Sequence, residues 1–197
     1  MIKYFPAASL IAFFLLLLNP LTTTAQKEPK ETFYRLTMGG GIGNGYPNAD
    51  GNGIGGMLEF AYQQNKALYA VGYTGMGEFN IFDQSNVHNS VQSINLTYGR
   101  AYMYRSIFMS ISAGPGFVST VAQGALKDRL GFIFTTSTYE KITAHTVGLA
   151  FSAKAMALAP HGGIGLEFYA NANSQSSFAG INLCFQFGKL RSKKNAS

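Results

Sequence analysis

The chain of 197 residues has one cysteine and no tryptophan. A lone cysteine cannot form a disulfide within the chain, which excludes a disulfide-stapled scaffold and leaves no cysteine set for a zinc finger. Charge is scarce too. Charged residues make up 12% of the chain, against about 25% in ordinary globular domains. That scarcity does not signal disorder, because disordered chains combine high charge with few aromatics, and here 47% of residues are hydrophobic and 14% aromatic. The third absence is a long apolar run in the body of the chain. Nothing after Gln26 reaches the roughly 20 apolar residues that a membrane-crossing helix needs.

What is present begins with an address. Residues 1–25 read as a secretory signal peptide: Lys3 is the only charge, Leu10 to Leu18 are apolar, and the small residues Thr22 to Ala25 fit cleavage before Gln26. The apolar run is short for an uncleaved anchor, and no cysteine follows it to carry a lipid. Residues 26–32 are a short segment before the first strand.

From Phe33 onward the pattern has period two, the signature of strands. In the last segment Ile181, Leu183, Phe185 and Phe187 share one face, while Gly180, Asn182, Cys184, Gln186 and Gly188 share the other. Eight such segments are expected, near 33–45, 54–63, 67–78, 91–104, 106–118, 144–158, 162–173 and 177–188. The connections alternate between short turns and longer loops at 46–53, 79–90 and 119–143, with a short fourth at 173–176. An even number of strands joined in this way is the sequence form of a transmembrane β-barrel. A closed sheet satisfies every backbone N–H and C=O without water. The expected fold is therefore all-β, an eight-stranded antiparallel up-and-down transmembrane barrel over 33–188. A soluble lipocalin-like carrier is the alternative, with its apolar faces turned inward.

Two sets of residues stand out on this frame. Tyr34, Tyr62, Tyr69, Tyr98, Tyr102 and Tyr104 lie near the short turns, where an aromatic belt would sit in the bilayer interface. Arg35, Glu59, Lys154 and Glu167 fall by parity on the luminal face. If Ala159 faces Gly162 in the turn around Pro160-His161, Lys154 and Glu167 become direct cross-strand partners and Phe151 faces Ala170. Opposite charges so placed contribute about 0.2–1 kcal/mol. The four charges are expected to form an ion-pair network that plugs a narrow lumen, with a gated pore as the alternative.

Taken together, the chain resembles the small outer-membrane β-barrel domain proteins of OmpA/OmpX-like size that are common in Bacteroidetes-type bacteria. The residues that carry the resemblance are Val147-Gly148-Leu149, Gly163-Ile164-Gly165-Leu166, Asn171-Ala172-Asn173, Ser177-Phe178-Ala179-Gly180 and the ending Phe187-Gly188-Lys189-Leu190-Arg191. The resemblance implies a bacterial outer-membrane location, with short turns in the periplasm and long loops outside. It implies no activity. One departure is that Phe187 is followed by ten residues, whereas many outer-membrane barrels end on an aromatic residue that the insertion machinery reads.

Enzyme motifs are weak. Gly51-Asn52-Gly53-Ile54-Gly55-Gly56 matches a dinucleotide-binding pattern, but alternating residues follow it where a helix is required. It reads as a glycine-rich loop. His88-Asn89-Ser90 resembles the His-x-Ser of outer-membrane lipid A deacylases, yet it ends an early loop, whereas theirs lies on a late strand. Three separated histidines and an inward Cys184 make no metal set, and no cofactor is expected. The 119–143 loop, with Lys127-Asp128-Arg129 and Phe132-Ile133-Phe134, is the best remaining place for a protein partner, because loops on a rigid scaffold carry binding.

The formal charge of +6 sits mainly at the ends. Residues 33–188 hold eight basic residues and seven acids, while Lys189, Arg191, Lys193 and Lys194 form a basic tail over 189–197. A near-neutral barrel argues against nucleic acid, and the tail suits anionic headgroups. The expected protein is a monomeric outer-membrane barrel, in contact with outer-membrane lipid, with a structural, adhesive or binding role through its outer loops. A narrow channel or secretion-apparatus component and a lipid A-modifying enzyme are the alternatives.

Overall fold

The computed structural model describes residues 32–45, 52–78, 88–130 and 136–190. The signal-peptide segment 1–25, residues 26–31, the run Phe132-Ile133-Phe134 and tail residues 191–197 lie outside the described residues. Eight strands follow in chain order: β1 (Thr32–Asn44), β2 (Asn52–Gln64), β3 (Ala67–Glu78), β4 (Ser90–Tyr104), β5 (Ile107–Leu130), β6 (Thr136–Leu158), β7 (Gly162–Asn173) and β8 (Phe178–Gly188). Each pairs antiparallel with its neighbours, and β8 closes on β1. No helix occurs among the described residues.

The stagger of the barrel can be read from its register. From Tyr34, steps across paired residues pass through Tyr62, Tyr69 and Tyr98, then Ala113, Phe151, Ala170 and Ala179, and return to β1 at Asn44, ten residues further along. For eight strands, that stagger tilts each strand by about 40° from the barrel axis.

The short turns need special backbone. Asn65 and Arg105, each the first residue of a two-residue turn, take positive φ of 54° and 52°. Asparagine tolerates that region and arginine rarely occupies it. The turn between β7 and β8 is held by Asn173, whose Oδ1 accepts the backbone N–H groups of Gln175 and Ser176 at 3.0 and 2.7 Å. This side-chain mimic of a backbone turn explains why the connection is short.

Two sequence expectations change. The glycine-rich stretch is not a loop after Gly51, because β2 starts at Asn52. The larger change concerns 119–143. Over its described residues it is not a loop: β5 runs on to Leu130 and β6 starts at Thr136, so the two strands form a paired hairpin about twice as long as the others. The ladder of β4 with β5 ends at Ser90–Val121, and that of β6 with β7 at Gly148–Asn173. Beyond those points no described strand pairs with the hairpin, which on β6 takes in about 40 Å of strand for the twelve residues before Gly148 at 3.3 Å per residue.

Side chains alternate as the pleat requires. The outward face is apolar, with Leu58, Phe60, Ile94, Leu96, Val147 and Ile181 all about half exposed or more. From Ile107 to Phe117 on β5 this band covers about 25 Å along the axis at that tilt, the height of the apolar band of outer-membrane barrels. Above it β5 and β6 turn polar at Ser119 and His145, whose ring stacks on Phe117. A soluble carrier would turn polar residues outward where this wall shows an apolar band.

Candidate functional site: the filled lumen and the projecting hairpin

The lumen is crossed by three sets of contacts, each joining strands on opposite sides of the barrel. Nearest the short turns, Arg35 on β1 lies over the ring of Phe108 on β5, 4.1 Å from guanidinium carbon to centroid. Its Nη2 donates to Gln63 Oε1 at 2.6 Å and its Nη1 to Gln186 Oε1 at 3.2 Å. In the middle, Lys154 on β6 donates to Glu59 on β2. Nearest the hairpin, the Tyr169 hydroxyl on β7 donates to the Met76 sulfur on β3. Gly43 and Gly180 leave the room that the Tyr169 hydroxyl occupies, since a Cβ at either would collide with it.

The middle layer holds the buried charge. Lys154 faces Glu167 in the β6–β7 register, and Phe151 faces Ala170. Lys154 Nζ stands 3.5 Å from Glu167 Oε1 and also contacts Glu59. The remaining capacity of Glu167 is taken by Ser152 Oγ, which donates to Oε1 at 2.6 Å, and by Asn182 Nδ2, which donates to Oε2 at 3.2 Å. All three charged residues are less than a tenth exposed. Such groups tolerate burial only when paired and hydrogen-bonded, and here one ammonium is shared by two carboxylates.

Arg35 does not belong to this cluster. It contacts neither carboxylate among the described residues, and two glutamines and an aromatic face hold it instead. Parity puts it in the lumen but says nothing of its height, and it lies a layer nearer the short turns. Gln63, Gln186 and Phe108 carried no sequence signal of this role.

Apolar layers flank the charges. Ala61, Leu68, Ala101, Phe108, Met156, Leu158 and Leu190 fill the short-turn end. Met76, Val91, Val118, Tyr169 and Phe178 fill the other. Leu190 lies past the last strand. Gly188 takes φ +131°, which few residues other than glycine adopt, and Leu190 is fully buried in the core at that mouth. A cavity of about 30 Å³ remains between the charged layer and the hairpin end, beside Glu59, Asn95, Glu167 and Asn171, space on the scale of a water molecule.

The tyrosines line one side only. Tyr34, Tyr62, Tyr69 and Tyr98 form a continuous row across β1 to β4, with neighbouring ring centroids 5.4, 6.3 and 5.1 Å apart. The row follows the hydrogen-bonding direction, so it climbs with the stagger, and Tyr98 stands about 10 Å above Tyr34 by strand spacing and tilt. Tyr102 lies level with Tyr34, and Tyr104 sits at the turn. Lys66 and Arg105 place their charges over the rings of Tyr102 and Tyr104.

The remaining motifs make no catalytic set among the described residues. In His88-Asn89-Ser90 it is Asn89 that engages the nearby acid, donating to Glu78 Oε1 at 2.8 Å. Its Oδ1 accepts the Gln123 backbone N–H at 2.9 Å. Cys184 is buried beside Glu167. No group of three metal-ligating side chains occurs among the described residues.

No protein-family profile matches the sequence, and no curated protein matches it. The fold does have solved counterparts. Ail, the attachment invasion locus protein of Yersinia pestis, in complex with the heparin analogue sucrose octasulfate, superposes with a TM-score of 0.54 at 12% identity, over 80% of this chain and 99% of that one. Neisserial surface protein A superposes with a TM-score of 0.55 at 11% identity, over 83% of this chain and 100% of that one. The likeness is one of fold: a closed eight-stranded antiparallel barrel matching outer-membrane barrel structures.

Proposed function

We propose that the protein is an integral outer-membrane barrel, closed along its lumen, that holds the β5–β6 hairpin outside the cell as a binding or adhesive element. The observation that carries this reading is the outward apolar band, with buried charge inside it and the β5–β6 hairpin projecting beyond it. A soluble monomer rarely exposes an apolar patch above a few hundred Å², whereas lipid requires one. The tyrosines fit the inner interface as an aromatic belt, set by Tyr34, Tyr62, Tyr69, Tyr102 and Tyr104, with Tyr98 deeper in the wall.

In this reading the signal peptide over 1–25 exports the chain, and the resemblance of its last third points to a Bacteroidetes-type bacterium. Closure leaves no free sheet edge in the wall, which suits a monomer. The cross-lumen contacts and the two apolar layers favour a seal over a channel, as expected when eight strands enclose only their own side chains. The fold likeness to an attachment protein favours adhesion over catalysis.

Cell fractionation tests the location. The protein should be found in the outer membrane as a heat-modifiable band, and protease added to intact cells should cut within 124–140 and leave the barrel whole. Recovery in the soluble periplasm would overturn the reading. Steady large conductance in a planar bilayer would overturn the seal.

A further inference from the structure

The charges beyond the filled lumen are shared unequally between the two ends. Among the described residues the hairpin end holds Lys127, Arg129 and Lys141 against Glu78, Asp128 and Glu140, so its charges cancel. The short-turn end holds Lys66, Arg100, Arg105 and Lys189, and no described acid lies there outside the lumen. A surface of one sign attracts a ligand of the other.

Three of these cations stand on the stretch of wall that carries the tyrosines. Arg100 points outward from β4, because its neighbour Ala101 is buried in the core and successive side chains alternate. Its partners across the two ladders are the uncharged Ala67 and Ile111. Tyr102, two residues on, shares the outward face. Lys66 reaches the same ring from the β2–β3 turn, with Nζ 5.9 Å from the centroid. The Lys66 carbonyl accepts the Ala101 N–H at 2.8 Å, which ties that turn to β4. Arg105 follows at the β4–β5 turn, its guanidinium carbon 5.5 Å from the Tyr104 centroid.

The backbone of Arg105 adds a separate sign. Its φ of 52° lies in the left-handed region, where asparagine or glycine would serve the turn with less strain. Asn65 fills the matching place in the β2–β3 turn. A strained residue where an easier one would do points to a use for its side chain.

We propose that Lys66, Arg100 and Arg105 bind the headgroup of an anionic phospholipid in the inner leaflet. The inference rests on the proposed membrane insertion, which sets Tyr102 and Tyr104 at the interface. Lys66 and Arg105, lying over those rings, are held at the depth of the phosphates, and Arg100 reaches that depth along its stem. Arginine offers a planar fork to a phosphodiester and lysine a point charge. A zwitterionic headgroup brings an ammonium of its own, which the three cations repel. The site therefore selects phosphatidylglycerol over phosphatidylethanolamine. A lipid fits better than an acidic protein, because the three residues stand on the wall beside the rings rather than across the mouth.

The test uses the full mature chain in nanodiscs made of phosphatidylglycerol and phosphatidylethanolamine in equal amounts. Native mass spectrometry counts the lipids that stay bound. The parent should retain phosphatidylglycerol over phosphatidylethanolamine by about tenfold, and high salt should shrink that preference, since it screens exposed charge. Lys66→Gln, Arg100→Gln and Arg105→Gln together should abolish it. Lys66→Arg, Arg100→Lys and Arg105→Lys together preserve the charge and should keep most of it. Lys127→Gln, Arg129→Gln and Lys141→Gln at the hairpin end should leave it unchanged. A parent without preference, a preference insensitive to salt, or an equal loss in the hairpin-end variant would overturn the proposal. Displacement of the lipid by a soluble polyaspartate peptide would also overturn it and make this surface a protein site. Insertion is read separately from the heat-modifiable band. An inserted chain that shows no lipid preference removes this site and leaves the proposed function standing.

Discussion

The two ends of the barrel solve different problems. At the short-turn end the chain spends its side chains on closure. Leu190 is buried in the mouth, Arg35 is pinned between two glutamines and Phe108, and tyrosines line the outer wall. At the other end β5 and β6 outrun their neighbours, and no described strand pairs with their outer edges. The contrast is one of stability. Packed and paired groups hold the first end, and the second is a two-stranded ribbon, which is marginal by itself. Segments that meet partners are commonly drawn from the less stable parts of a fold.

The largest test of the contrast is Lys154→Met. It leaves Glu59 and Glu167 buried without their shared cation, and breaking a buried pair in this way costs about 3–5 kcal/mol. Urea unfolding from lipid vesicles should show the loss, and Lys154→Met combined with Glu59→Gln and Glu167→Gln should recover most of it. If the single variant is as stable as the parent, the charged layer is not what holds the lumen.

Leu190→Ala should come next, at about 2 kcal/mol, the low end for a buried leucine because the site lies at a mouth. The same urea titration reads it. A change below the error of the measurement would mean that the tail does not close the barrel. Among the tyrosines, Tyr102→Leu should cost about 1 kcal/mol more than Tyr98→Leu, because only a ring at the interface keeps its hydroxyl in water. Equal costs would put both residues at one depth.

The smallest effect belongs to the hairpin. Gln123 and Lys141 face each other, so an Asn-Gly turn can join them in place of residues 124–140. Barrel stability should then change by less than about 0.5 kcal/mol, as for surface changes away from packed features. Surface binding should be lost. A large drop in stability would mean that the hairpin braces the wall.

Much of this was legible in the sequence for a simple reason. A strand's faces alternate every residue, so Ile181, Leu183, Phe185 and Phe187 declare one face without knowledge of any neighbour. The Lys154–Glu167 register was also within reach, because a tight turn ties pairing to residue number. The hairpin was not. Two bulges in β5 shift the phase between Gln123 and Asp128, and Lys127-Asp128-Arg129 adds charge there, so the alternation that marks a strand is lost where the strand continues.

The sequence by itself determined the number of strands, which side chains face inward, and the pairing of residues joined by a tight turn. These depend on period two and on loops of a few residues. Only the tertiary structure decided which inward residues meet. Glu59 reaches Lys154, Phe108 underlies Arg35 and Met76 accepts from Tyr169, in each case because closure sets strands four apart on opposite sides of one narrow lumen. Nothing local encodes that distance, since it depends on the stagger of all eight strands together.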